Sequence, residues 1–150
     1  MEDRHLQKAM LQDPFIKAGG VFPADGLLRI SSPRGFYILN TDETGQPGSH
    51  WCVFYFNEEN SEFFDSLGQT PESYHAYFRY YLIARGKPVV YNKQRIQSRD
   101  SSDCGQYCLY YCYFRARGLS MRDVLTNFDP DSLLQNDKFV HDFTERIFQL

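Results

Sequence analysis

The sequence predicts an α+β domain, with a central mixed or antiparallel sheet flanked by helices. Three observations carry that expectation. Short aromatic and β-branched runs, FYIL, HWCVFYF and EFFD, follow one another between residues 36 and 65 with polar turns between them. Apolar residues recur at helical spacing over residues 2–11, 71–85, 103–117 and 136–148. The chain of 150 residues, 42% hydrophobic and 17% aromatic, suits one domain around one core, so residues 1–150 are taken as a single unit.

Taken in order, Leu6, Met10 and Leu11 share a helical face, and Asp13-Pro14 ends that pattern. The stretch AGGVFPADGLLRISSPRG is punctuated by Gly and Pro and reads as loop with short extended pieces. Phe36–Leu39 is a buried strand, NTDETGQPGS is built of turn formers, and HWCVFYF is the second strand. After the turn NEENS, EFFD is the third strand, and such short connections imply antiparallel pairing. Pro71 to Arg85 suits a helix, with Pro in its first turn, apolar Tyr74, Phe78, Tyr81 and Leu82, and Gly86 as its stop. Pro88–Tyr91 reads as another strand, and Asp103–Arg117 as a second, buried helix ended by Gly118. Ser120-x-x-Asp123 resembles a capping box with Asp in place of Glu and opens a third helical stretch. Asn136–Phe148 is an amphipathic helix carrying Phe139, Val140, Phe143 and Ile147.

No stretch approaches the roughly 18 consecutive apolar residues of a membrane helix. The start, MEDRHLQKAM, has no apolar signal core, so an intracellular location without membrane contact is expected. The net charge of −3 is unevenly spread: nine basic residues between Arg79 and Arg122 face only Asp100 and Asp103, a local excess of +7. A solvated surface is the ordinary reading of such a segment, and a face that meets nucleic acid is the alternative. Cys104, Cys108 and Cys112 recur every four residues, which aligns them on one helical face and disfavours disulfides among them. Zinc-type Cys/His spacings do not occur, so no metal site is expected, and Cys52, Cys108 and Cys112 read as small hydrophobes.

Cys104 has a different setting. In SSDCGQYC it opens the second predicted helix, where unpaired N–H groups and the helix dipole favour an anion. With an imidazolium nearby, such a position lowers a thiol pKa from about 8.5 into the range of roughly 3.5–7.5. Gly105 leaves room for a substrate carbonyl to approach the backbone. From local context alone, a cysteine that merely packs is an equal reading. Among the four histidines, His50 is the candidate base, because it opens a strand behind a flexible turn. His5, His75 and His141 fall on a terminus or on helix flanks and read as solvated; a lone strand-edge histidine such as His50 is itself more often structural. Asp65, beside Phe63 and Phe64, needs a partner. If its strand neighbours HWCVFYF, it would orient His50, as in a catalytic triad; a simple turn-initiating Asp is the competing reading.

The order His50-Trp51, Asp65 in FFDSLG, and Gln97 ahead of Asp103-Cys104-Gly105 resembles the adenain-like cysteine proteases. This is the family of the adenovirus maturation protease, distantly related to the SUMO-specific proteases. The resemblance extends over roughly residues 14–118 and includes NTDETGQPGSHWCVFYF and GGVFPADGL. It implies Cys104 as nucleophile, His50 as general base and Asp65 as the acidic member, where adenovirus enzymes place Glu and SUMO proteases Asp. Gln97, seven residues before Cys104, matches the adenain spacing of the residue at the oxyanion site; the SUMO-protease spacing would put Ser98 there. It also implies that Trp51 shapes a tunnel around small residues before the cut, with a core aromatic as the equal alternative. The implied enzyme is viral, or from a virus-derived element, and cleaves capsid or core precursors at Gly-containing sites in the host nucleus or the virion. A protease of SUMO or ubiquitin-like modifiers and an inactive binding module are the alternatives. No cofactor is required. A DNA or peptide activator is a family trait, but RGKPVVYNKQRI has no cysteine to tether a peptide.

Overall fold

The computed structural model describes residues 1–30, 34–46 and 48–149. Residues 31–33 of the expected Gly/Pro loop, residue 47 of the expected turn, and residue 150 lie outside the described residues. The chain runs through α1 (Asp3–Leu11), β1 (Gly20–Phe22), a 3-10 turn (Ala24–Arg29), β2 (Gly35–Asn40), β3 (Trp51–Phe56) and β4 (Ser61–Phe64). It continues through α2 (Ala76–Arg85), β5 (Val89–Tyr91), α3 (Cys104–Ala116), α4 (Met121–Leu125) and α5 (Leu133–Phe148). The strands form one sheet in chain order. Pairing is antiparallel between β2 and β3 and between β3 and β4, as their short turns require. The outer strands β1 and β5 pair in parallel, so the sheet is mixed; α2 supplies the crossover into β5. The α+β expectation is met.

Both sheet faces are covered, which is why the strands read as continuous apolar runs rather than alternating ones. Ile38, Val53 and Phe64 pack with α1, α3 and α5 on one face. Leu39, Cys52, Phe54 and Phe63 pack with α2 and the 3-10 turn on the other. Helix α3 lies deepest: Tyr107 through Cys112 are all buried. All four cysteines are free and buried.

Two elements differ from expectation. The helix expected over 71–85 divides into a 3-10 turn (Pro71–Ser73) and α2, because His75 adopts extended backbone and its ring accepts from the Tyr77 N–H as an N-cap. His75 also pairs with Glu43 at 3.0 Å, so it is held rather than solvated. Helix α5 begins at Leu133 and is rotated from the expected face: Val140 and Phe143 are buried, but Phe139 and Ile147 are 47% and 37% exposed. Asn136, Asp137 and Thr144 turn inward in their place. The basic segment is not one uniform face either. Arg115 pairs with buried Glu62, Arg117 with Asp13, Arg85 donates to the carbonyls of Asn57 and Asn60, and Arg95 to that of Gln97.

Glu62, 4% exposed, accepts from Tyr111 at 2.6 Å and from Arg115 at 2.8 Å. Removing one member of such a pair leaves a buried charge uncompensated. Arg115→Met is expected to lower the urea unfolding free energy by about 3 kcal/mol. Exposed Arg122→Ala should change it by less than about 0.5 kcal/mol. Equal small effects would mean that Tyr111 alone satisfies Glu62.

Candidate active site

Antiparallel pairing of β3 with β4 brings the start of one strand beside the end of the other, with Val53 opposite Phe64. His50, just before β3, therefore meets Asp65, just after β4, and His50 borders one cleft with Cys104 at the start of α3. His50 Nε2 and Asp65 Oδ1 are 2.5 Å apart, and Asp65 has no exposed surface. The carboxylate also accepts from Leu67 N at 3.1 Å, Gln69 N at 2.9 Å and the Tyr74 hydroxyl at 2.5 Å. Because a carboxylate can only accept, Nε2 carries a hydrogen, and Nδ1 is the ring nitrogen left free of Asp65 in the cleft that His50 shares with Cys104.

Burial works against an imidazolium, but the hydrogen bonds and charges of Asp65 and Cys104 outweigh it and raise the His50 pKa to about 9. Burial likewise works against a Cys104 thiolate, and the hydrogen bond and charge of His50, with the Trp51 backbone N–H, outweigh it and lower that thiol. Each residue therefore favours the charged form of the other, a thiolate beside an imidazolium. Cys52 and Cys108 go the other way: complete burial pushes their thiols well up.

Gln97 reaches the same place from the loop before α3. It is 3% exposed, and its Nε2 donates to the Ser101 carbonyl at 3.0 Å. Its neighbours are pinned: the Ile96 carbonyl accepts from Asn136 Nδ2 at 3.1 Å and lies 3.0 Å from the Tyr107 hydroxyl. Ser98 is turned to α5, where its hydroxyl donates to Asp137 at 2.5 Å, so it does not face the thiol. The turn after Asp65 needs a glycine: Gly68 has φ +73°, and a Cβ there would lie 2.8 Å from the Arg95 backbone nitrogen.

Cys104, His50, Gln97, Trp51, Leu67 and Met1 border a cleft of about 360 Å³. Trp51 belongs both to this wall and to the buried core, and its Nε1 donates to the Met1 carbonyl at 3.0 Å. At Gly105 a Cβ would lie 3.2 Å from side-chain atoms of Leu6 and Met1. Its small size accommodates the N-terminal residues against α3. Thus His50, Asp65, Gln97, Cys104 and Trp51 come together and Gly105 lies beside them. The sequence reading missed Ser66, Tyr74, Asn92, Asn136 and Asp137. Asn92 exchanges hydrogen bonds with the Asp65 backbone at 2.9 and 2.6 Å. No spacing pattern marks these partners; only the Ser66-Leu67-Gly68 turn was visible.

No protein-family model matches the chain. A thiol protease of Acanthamoeba polyphaga mimivirus is 35% identical over 92 residues, 55% of this chain and 29% of that protein. The protease of frog adenovirus 1 is 31% identical over 128 residues, 72% of this chain and 62% of that protein. The chain thus matches less than two thirds of either relative's length. Among solved structures, ChlaDub1 of Chlamydia trachomatis has the same fold, with a TM-score of 0.57 at 15% identity over 99% of this chain and 93% of that one. The resemblance to viral cysteine proteases of the adenain type, read from the motifs, is therefore borne out.

The ion pair predicts a reactivity profile. Iodoacetamide should label Cys104 quickly at about pH 6–7, where an ordinary thiol is protonated. Cys52 and Cys108 should stay unlabelled in the folded protein. In His50→Ala the Cys104 midpoint should move up, because burial then acts with little to oppose it. An ordinary thiol profile for wild-type Cys104, read by mass spectrometry, would show that the pair is not ionised.

Proposed function

We propose that the protein is a cysteine endopeptidase that cuts viral capsid or core precursors at Gly-containing sites, in the host nucleus or the virion. The observation that carries this reading is the buried Asp65–His50 bond, which leaves the imidazole directed at a lowered thiol on a helix N-terminus. The Cys104 thiolate would attack the scissile carbonyl, with the Gln97 amide and the Cys104 backbone N–H donating to the oxyanion. His50 would protonate the leaving amine, then take a proton from water as water attacks the acyl-enzyme and frees Cys104. Because His50 must be charged for the first step, turnover should fall as pH rises through its pKa of about 9.

The viral relatives, named as proteases, support a protein substrate, and Trp51 and Leu67, which border the cleft beside the thiol, favour residues without bulky side chains. A second reading, cleavage after the Gly-Gly tail of a ubiquitin-like modifier, is favoured by Asp rather than Glu at position 65 and uses the same residues. Exposed Arg79, Lys87, Lys93, Arg99 and Arg122 would serve a polyanionic activator.

Cys104→Ala and His50→Ala should each reduce hydrolysis of Gly-containing peptides by more than about 10³-fold with unchanged circular dichroism. Asp65→Asn should cost less, because it orients rather than reacts. An equal loss in Cys108→Ala would reassign the nucleophile. Cleavage of modifier conjugates but not of peptides would establish the second reading. Hydrolysis of neither, with Cys104 still reactive to alkylation and DNA present, would overturn the endopeptidase.

A further inference from the structure

A primary amide donates to an oxyanion only when held the right way round, since one end accepts and the other donates. Two partners decide this for Gln97. The Ser101 carbonyl, 3.0 Å from Nε2, can only accept, so the nitrogen faces it. Oε1 then takes the hydrogen of Ser66 Oγ at 2.5 Å. One amide hydrogen remains for the cleft that Gln97 shares with Cys104. Ser66 is 1% exposed, and its own carbonyl accepts from Ile96 N at 2.9 Å and Gln97 N at 3.1 Å. Ser66 therefore holds Gln97 by backbone and side chain together. Without its hydroxyl, Oε1 would be buried without a donor among the described residues, and the amide would turn to find one.

Resting on the protease reading above, we propose that Ser66 is a positioning residue for the oxyanion donor, keeping the Gln97 amide nitrogen directed at the developing charge. Asp65 and Ser66 are adjacent, so one turn of chain sets both halves of the chemistry: Asp65 orients the base, and Ser66 orients the oxyanion donor. Ser66 is buried and does not line the cleft.

The test is a double-mutant cycle. Ser66→Ala should lower kcat about tenfold, with KM changed by less than about twofold. Gln97→Ala should lower kcat by about 10²–10³, and the double variant should be no slower than Gln97→Ala alone. Ser66→Thr, which keeps the hydroxyl, should restore most of the loss. Cys104 alkylation should be unchanged throughout, because the thiolate–imidazolium pair is untouched. NMR signals of the Gln97 side-chain amide should be dispersed in wild type and collapse toward those of free glutamine in Ser66→Ala. Additive losses in the cycle, slowed alkylation in Ser66→Ala, or unmoved amide signals would each overturn the proposal. Wild-type protein that hydrolyses no substrate would instead fail the protease reading. The amide signals still decide the hold of Ser66 on Gln97 in that case, and unmoved signals overturn it.

Discussion

A carboxylate with no exposed surface must find every hydrogen bond inside the protein, and Asp65 finds four acceptances there: from His50, Leu67, Gln69 and Tyr74. Much of the site hangs on that requirement. Two of the donors are backbone groups of the turn that Asp65 itself opens, so satisfying the charge also shapes the turn. That turn carries Gly68 against the backbone of Gln94 and Arg95 and presents the Ser66 carbonyl to Ile96 and Gln97. On the other side, Asn92 ties the Asp65 backbone to the end of β5. The His50 ring is thereby held in one orientation, with Nε2 on Asp65.

The contrast between two cysteines one helical turn apart shows what then lowers the Cys104 thiol. Cys104 and Cys108 lie on the same helix, are both buried, and both pay the desolvation cost of a thiolate. Only Cys104 meets His50 and the Trp51 backbone N–H, and only its thiol is lowered. Cys108 has neighbouring Cys104, Cys52, Cys112 and Asp65, whose charges push the same way as burial. Burial alone therefore does not set a thiol's pKa; the neighbours of Cys104, His50 and the Trp51 backbone, decide it. The reciprocal effect on His50, raised against its own burial, has the same origin.

The strands and most helices were legible because aromatic runs and helical spacing are local signals, and the Pro, Gly and Ser punctuation marks their ends. The parallel placement of β1 and β5 was not, since pairing over long sequence separations leaves no trace in either strand. His50, Asp65 and Cys104 each stood out from an ordinary local setting, and their order carried the resemblance to known proteases. Ser66, Asn136 and Asp137 did not, because the residues they hold near the cleft, Gln97, Ile96 and Ser98, lie 31, 40 and 39 residues away. His75 misled for a related reason: as an N-cap its side chain replaces a backbone partner, so a residue inside an apparent helix instead begins one. The packing of Gly105 against Leu6 and Met1 was not legible either, because those partners lie about a hundred residues away in the chain.

The rotation of α5 follows from the same physics. Packing by hydrophobicity alone would bury Phe139 and Ile147 and leave Asn136 and Asp137 in water. The observed face does the reverse, which costs transfer free energy on both counts unless the polar groups find partners. They find them in the loop that carries Gln97: Asn136 holds the Ile96 carbonyl, and Asp137 holds Ser98 through its hydroxyl and N–H. Tyr107 of α3 joins both, lying within hydrogen-bond distance of Ile96 and Asp137. A loop fixed by directional bonds to two helices has fewer alternative positions than one resting on an apolar surface. The C-terminal helix thus helps hold the segment between β5 and α3 in place, although none of its side chains borders the cleft.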